Sequence, residues 1–318
     1  MPRLRPSRVF SCFVFALVVS GCAGAYTPKP YELHRVVRGD RAPALVFING
    51  NAATLAAWDP IEPTFSARGV RTVRTDRDGF GETPLGPRPY DVRDEVAALQ
   101  KALRDEGVDG DKILVAHSYG GVIAAALAQA DPDVLGVVLV DAVVPGEMTK
   151  AYTDEILATY RPQYDAVRAQ APAIAEAIIP VVEAFPETAE KLRDVTWRED
   201  VRLIDIRAER TTDSAAMYDA SLAYHRRLVA AAPDERTLVI ATDSGHQVMK
   251  DRPDVVIAAV ETLLEDYGRS GRGRVADCRT GGRPPLEGPT LIDRRYKKAP
   301  RCVPREAFKA YGSTQSDV

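Results

Sequence analysis

Ser118 stands in Ala116-His117-Ser118-Tyr119-Gly120-Gly121, after the apolar run Ile113-Leu114-Val115 and before an alanine-rich stretch through Leu127. A serine hydroxyl is a poor nucleophile at neutral pH and needs a base within hydrogen-bond reach. The chain has only four histidines, so the candidates are few. His34 sits at the start of the body, and His225 lies in a charged, helix-like stretch. His117 adjoins Ser118, where its side chain is expected to point away. His246 follows Asp243-Ser244-Gly245, just past the apolar run 237–241. A loop at the carboxyl end of a parallel strand is where the sites of open α/β sheets gather. Ser118 and His246 are therefore the pair that could do nucleophilic chemistry, the serine attacking and the imidazole taking and returning its proton. The competing reading is a strand-to-helix turn capped by Ser118 and a surface histidine at His246.

The elements must present that serine. A small-x-Ser-x-Gly-Gly segment between a strand and a helix holds serine in a strained conformation, so the residues two before and two after it must be small. Ala116 and Gly120 occupy those positions. Residues 31–37 alternate weakly, as an edge strand would. Residues 44–48 form a continuous apolar run ending in Asn49-Gly50-Asn51, the pattern of a buried parallel strand entering a loop. Strands are also expected at 70–75, at 134–140 before Asp141, at 201–207 and at 236–241. Helical spacing places Val92, Val96, Leu99 and Leu103 on one face. Further helices are expected at 215–231 and 253–266. Residues 146–200 break the alternation with helical fragments punctuated by Pro162, Pro172, Pro180 and Pro186. The expected fold is α/β, a mostly parallel, doubly wound sheet with helices on both faces. Its core is residues 22–145 and 201–268, with 146–200 inserted as a helical lid and 269–318 a basic tail rich in Gly, Pro and Arg.

A formal net charge of −3 hides an asymmetry. The tail from Arg269 carries a net +7 and the leader adds Arg3, Arg5 and Arg8, which leaves the body near −13. Such a body excludes nucleic acid as a partner. Cys and His show no metal-ligand spacing and the Gly-rich turns lack a phosphate-loop lysine, so neither metal nor cofactor is expected. The apolar run 9–19 behind the three arginines is too short to span a membrane comfortably and reads as a targeting segment. Val19-Ser20-Gly21-Cys22 resembles a bacterial lipoprotein cleavage site. The resemblance implies that residues 1–21 are a signal peptide, that Cys22 is lipidated, and that the exported protein is anchored to a membrane of the cell envelope, periplasmic or outer surface. Cys12 would leave with the leader. Cys278 and Cys302 then remain as an even pair in an oxidising compartment. A disulfide between them would close a 25-residue loop, worth about 3.5 kcal/mol in the chain-entropy model.

From about 44 to 266 the chain resembles the α/β-hydrolase superfamily, in its serine-nucleophile branch. The marks are Phe47-Ile48-Asn49-Gly50-Asn51 with Trp58 after it, Asp76-Arg77-Asp78-Gly79-Phe80-Gly81, the turn at Ser118, and Gly245-His246 with Asp251-Arg252-Pro253-Asp254 behind it. The resemblance implies an acyl-enzyme on Ser118, with His246 as acid and base. It implies an oxyanion held by the backbone N–H groups of Asn51 and Tyr119. The third member is open. Most superfamily members place a carboxylate after the strand that follows the lid, where Glu209 and Asp213 are near. Some place it at the end of the strand following the nucleophile's helix, where Asp141 stands. A strand end anchors a side chain better than a loop, which favours Asp141. Asn49 replaces a common histidine, so the hydrogen bonding of its loop must differ, and Ala116 replaces the usual first glycine. Epoxide hydrolases and haloalkane dehalogenases share the Gly50-Asn51 pair but use an aspartate nucleophile. The implied activity is a carboxylesterase acting on a small-molecule ester or related acyl bond. The reading from another class is a binding or scaffolding lipoprotein on a retired hydrolase fold, with the basic tail as its contact surface.

Cells expressing the chain are expected to incorporate labelled lipid into it, and Cys22→Ser to abolish that label. Equal incorporation by the variant would remove the anchor.

Overall fold

Residues 26–210 and 214–270 are described by a computed structural model of the protein. Cys22, Asp213, Cys278 and Cys302 lie outside the described residues. In chain order the elements begin with β1 (Arg35–Arg38), β2 (Arg41–Ile48), α1 (Glu62–Ser66), β3 (Val70–Thr75), α2 (Val92–Asp105), β4 (Lys112–His117), α3 (Gly120–Ala130) and β5 (Val134–Val140). A helical insertion follows, built from α4 (Lys150–Tyr160), α5 (Tyr164–Gln170), α6 (Pro172–Glu183) and α7 (Phe185–Lys191). The chain then returns through β6 (Arg202–Ala208), α8 (Ala215–Ala230), β7 (Arg236–Ala241), the single turn α9 (Val248–Asp251) and α10 (Pro253–Arg269).

An uninterrupted apolar run cannot keep one face in water, so such strands lie inside a sheet covered on both sides. In β2, β4 and β5 successive side chains divide between two cores. Leu45, Phe47, Ile113, Val115, Val138 and Val140 pack with Trp58, Phe65 and the apolar face of α10. Val46, Ile48, Leu114, Ala116, Val137 and Leu139 pack with α2 and α3. The strand order is β1-β3-β2-β4-β5-β6-β7. β1 runs antiparallel to β3, and every other pairing is parallel. The connection from β2 leads outward to β3 and the next one crosses back to β4. The carboxyl ends of β2 and β4 therefore frame a topological switch point, the crevice where open α/β sheets bind ligands.

Local sequence accounts for the helix ends that frame this crevice. Asp91 caps α2 by accepting from the N–H of Arg93 at 2.9 Å, and Val92, Leu99 and Leu103 bury the face their spacing predicts. Pro172 and Pro186 lie in the first turns of α6 and α7, where the missing N–H has no partner to lose. Pro162 sits in the turn between α4 and α5, and Pro180 lies inside α6. Two boundaries differ from the sequence reading. The edge strand starts only at Arg35, because Tyr31 and Leu33 pack into the core instead of pairing. The last helix continues past Asp266 to Arg269. Among the described residues no helix is long and apolar enough to cross a membrane.

Candidate active site

β4 hands the chain to α3 through a single turn, and Ser118 takes φ +53° there, a conformation other than glycine rarely adopts. Such strain persists only where its surroundings over-determine it. The Ser118 carbonyl accepts from the N–H groups of Gly121 and Val143, both at 3.0 Å, and its own N–H donates to the Val140 carbonyl at 3.3 Å. A Cβ on Gly120 would stand 2.7 Å from the Ile48 carbonyl oxygen, so only glycine lets α3 start this close to β2. Ala116 is fully buried opposite Ile48 and Leu139, and its methyl fits there.

The loop after β2 lies directly against Ser118. A Cβ on Gly50 would come within 2.7 Å of Ser118 Cβ and 3.2 Å of its Oγ. Among the described residues, no protein acceptor engages the backbone N–H of Asn51 or of Tyr119. Asn49 Nδ2 donates to the Thr75 carbonyl at 2.8 Å, tying the ends of β2 and β3 together where a histidine is common.

His246 enters from the loop between β7 and α9. Asp251 accepts from the N–H of Gly245 at 2.8 Å, and Arg252 donates to the Thr242 carbonyl at 2.8 Å, so the Asp-Arg pair behind the histidine pins its loop. His246 Nδ1 lies 2.7 Å from Asp141 Oδ2. An ionised carboxylate can only accept, so Nδ1 carries the proton and Nε2 is left as the basic nitrogen. Asp141 is itself held tightly, at φ +43° on the end of β5, with Oδ1 accepting from the N–H of Ala208 at 3.0 Å. Burial opposes its charge, but the hydrogen bond from His246 and the charge of Arg207 hold its pKa down at about 2. Glu209 is exposed and accepts instead from the N–H of Asp243 at 2.8 Å, and Asp213 is outside the described residues.

His117 corrects an expectation. Its side chain does not leave the site: Nε2 donates to the His246 carbonyl at 2.9 Å and the two rings lie 4.6 Å apart. The loop after β7 folds across the carboxyl end of β4 and meets the last strand residue there. Burial first, and then the neighbouring His246, push the His117 pKa down to about 3, so it is a neutral prop.

Sequence reasoning missed a second layer behind Asp141. Arg207 Nε lies 3.5 Å from Asp141 Oδ1, its Nη1 donates to the Ala142 carbonyl at 2.9 Å and its Nη2 to Ser221 Oγ at 3.0 Å. Beside it His225, in the helix α8 that its stretch predicts, is wholly buried between Asp205 Oδ2 at 2.5 Å and Glu147 Oε2 at 3.2 Å. Burial works against its charge, but Asp205 and Glu147 outweigh burial and raise its pKa to about 9. The signal was there to read: Asp205 and Arg207 interrupt an otherwise apolar run from Leu203 to Ala208, and buried charges require partners.

These groups meet around a cavity of about 320 Å³. Its lining includes Ser118, His117, His246, Asp141, Asn51 and Tyr119, then Glu147, Arg207 and Ser221, and from the insertion Tyr152, Ile156, Tyr160, Ile178, Val182 and Phe185. A second cavity, about 450 Å³, opens at the amino ends of β5, β6 and β7 beside Gly136, Arg202 and Glu235, with neither serine nucleophile nor histidine.

Comparison with known proteins fits this geometry. The sequence model described as "Alpha/beta hydrolase family" matches residues 45–259. No curated protein matches the chain. Among solved structures, a Mycobacterium tuberculosis protein assigned as a non-heme bromoperoxidase is 19% identical with a TM-score of 0.52, covering 76% of this chain and 99% of that one. An esterase from Exiguobacterium antarcticum is 16% identical with a TM-score of 0.53, covering 73% and 95%. A mutant of a Vigna radiata epoxide hydrolase is 15% identical with a TM-score of 0.56, covering 76% and 98%. At these identities the likeness is one of fold.

Two outcomes are expected. Gly50→Ala should slow the reaction of Ser118 with an electrophilic phosphonate by about 10-fold or more, since a displacement of about 1 Å costs that much; an unchanged rate would mean that the loop yields freely. His225 has a folded pKa of about 9 against an ordinary value of 6.5, so its contribution is complete below about pH 6.5 and lost as pH rises through about 9. Its size is about 3 kcal/mol. Urea unfolding from about pH 6 to pH 10 should show the advantage of the native chain over His225→Gln shrinking with pH. A difference independent of pH would contradict a charged His225.

Proposed function

Because the chain belongs to the alpha/beta hydrolase family, we propose that it is a serine hydrolase that cleaves a carboxylic ester or related acyl bond through an acyl-enzyme on Ser118. The observation that carries this reading is the His246–Asp141 pair at 2.7 Å, lining one cavity with a serine held at φ +53°. In the proposed cycle His246 Nε2 takes the hydroxyl proton as Ser118 Oγ attacks the carbonyl carbon. The carbonyl π electrons move onto oxygen, which accepts from the N–H groups of Asn51 and Tyr119. The oxyanion collapses, the bond to the alcohol breaks, and the imidazolium protonates the departing oxygen. Water then repeats the sequence on the acyl-serine: His246 takes its proton, the acid leaves, and Ser118 recovers its hydrogen. Asp141 stays ionised throughout and stabilises the imidazolium.

Ile156, Ile178, Val182 and Phe185 suit an apolar acyl group, and a cavity of about 320 Å³ favours a small one. In this reading the insertion acts as a lid over Ser118. A serine at this position opposes the epoxide and haloalkane chemistry that related folds perform with an aspartate. The protein would act from the cell envelope, attached through a lipidated Cys22.

A fluorophosphonate probe should label the native protein and not Ser118→Ala. Absence of label on folded protein, or equal label on the variant, would leave the binding or scaffolding reading instead. With a short-chain p-nitrophenyl ester, Asp141→Asn should lower kcat by about 10³- to 10⁴-fold while Glu209→Gln stays near the native value. The reverse order would move the acid to Glu209.

A further inference from the structure

One buried cation grips both residues whose backbone N–H groups would hold the oxyanion. Arg77 lies two residues past the end of β3 and is 2% exposed. Its Nη1 donates to Asn51 Oδ1 at 2.8 Å. Its guanidinium carbon lies 4.7 Å from the centre of the Tyr119 ring. The remaining edge of the fork meets Glu95 in the first turn of α2, Nε to Oε1 at 2.6 Å and Nη2 to Oε2 at 2.9 Å. Glu95, also 2% exposed, accepts a further hydrogen bond from the Tyr90 hydroxyl at 2.7 Å. The Tyr90 oxygen in turn lies 2.9 Å from the Tyr119 oxygen. Arg77, Glu95, Tyr90 and Tyr119 therefore close a ring, with Asn51 attached at the arginine.

A buried ion pair is weak evidence for stability, since a well-packed apolar pair of similar volume often serves the fold as well. What an apolar pair cannot do is fix direction. The planar fork sets Asn51 relative to Glu95, and the stacked face sets Tyr119 relative to the same plane. The two loops that carry the N–H groups come from different strands, β2 and β4, and the Arg77 side chain touches both. The guanidinium also stands between Glu95 and Asn51, so the positive end of the pair is turned toward the place where negative charge develops.

We propose that Arg77 is the positioning residue of the oxyanion hole, aligning the N–H groups of Asn51 and Tyr119 on Ser118 without touching the substrate. The inference rests on the reading of Ser118 as nucleophile. Arg77 is absent from the cavity lining, so it acts through the two residues it holds.

The test compares the native chain with Arg77→Met/Glu95→Gln, which removes both charges together and leaves neither buried alone. The assay is hydrolysis of a short-chain p-nitrophenyl ester, together with inhibition by an alkyl trifluoromethyl ketone, which adds to the serine and places an oxyanion in the hole. The double variant is expected to lose about 10-fold or more in kcat, with KM within about twofold. Its affinity for the ketone should fall by the same factor as kcat/KM, and the pH dependence of kcat should keep its shape because His246 and Asp141 are untouched. A lower melting temperature with kcat and ketone affinity unchanged would make the ring purely structural and overturn the proposal. Should the double variant fail to fold, Asn51→Ala breaks the same grip from its half-exposed end. The same loss of kcat and ketone affinity supports the proposal there, and unchanged values overturn it. If the native chain neither takes the fluorophosphonate label nor turns over ester, the nucleophile reading falls and this inference with it. If it does both and the variants match it, only the role of Arg77 falls.

Discussion

The left-handed turn at Ser118 is the constraint on which the rest of the structure depends. At φ +53° the residue would relax into an ordinary strand-to-helix connection if anything around it gave way. Three backbones prevent that. β5 accepts the Ser118 N–H at Val140, and Val143 in the segment just beyond it returns an N–H to the Ser118 carbonyl. The end of β2 leaves no room for a side chain at Gly120, and the loop beyond it leaves none at Gly50. The strain is thus held by the sheet itself, through strands that are buried on both faces and have no freedom to shift. A half-buried serine lining the cavity at the switch point is what that rigidity produces.

A second demand follows from the low polarity of the surroundings. Asp141 must be charged to hold a proton-bearing Nδ1 on His246, yet it is nearly buried at the end of β5. The fold meets this with the Ala208 N–H and with Arg207 behind it. Arg207 is supported in turn by the charges of Asp205 and Glu147, which also hold a charged His225 between them, so the cost of one buried carboxylate spreads through a network that reaches α8 and the turn before α4. Polar groups in such an interior are tolerable only when satisfied together. The charged interruptions in β6 are the sequence's record of that requirement.

The scaffold alone does not choose the chemistry. Structures of similar fold carry the names of an esterase, a bromoperoxidase and an epoxide hydrolase, at identities of 15 to 19%. Function lives in sites grafted onto such folds. Here Ser118, His246 and Asp141 line the same cavity as side chains of α4, α6 and α7. Tyr119, beside Ser118, packs against the insertion, its ring 5.3 Å from that of Phe185.

Much of this was legible in the sequence because it depends on local chemistry. The continuous apolar runs read as doubly covered strands, the small residues around Ser118 read as a strained turn, and the alternation of strands with helices read as a parallel sheet. Those patterns are imposed by side-chain periodicity and backbone sterics, which act within a few residues. Most partners of buried charges were not legible, although its place at a strand end favoured Asp141 for His246. His117 and His246 are 129 positions apart, His246 and Asp141 105, and Glu147 and His225 78. Nothing in the spacing of the chain says which carboxylate meets which imidazole, because that depends on where strand ends converge after the sheet has assembled. The same holds for Arg77, which read only as part of a turn motif and proved to hold Asn51 and Tyr119 together. The sequence by itself determined which groups could react; only the packed sheet decided which of them meet, since hydrogen bonds between distant segments exist only once the core has fixed their distance.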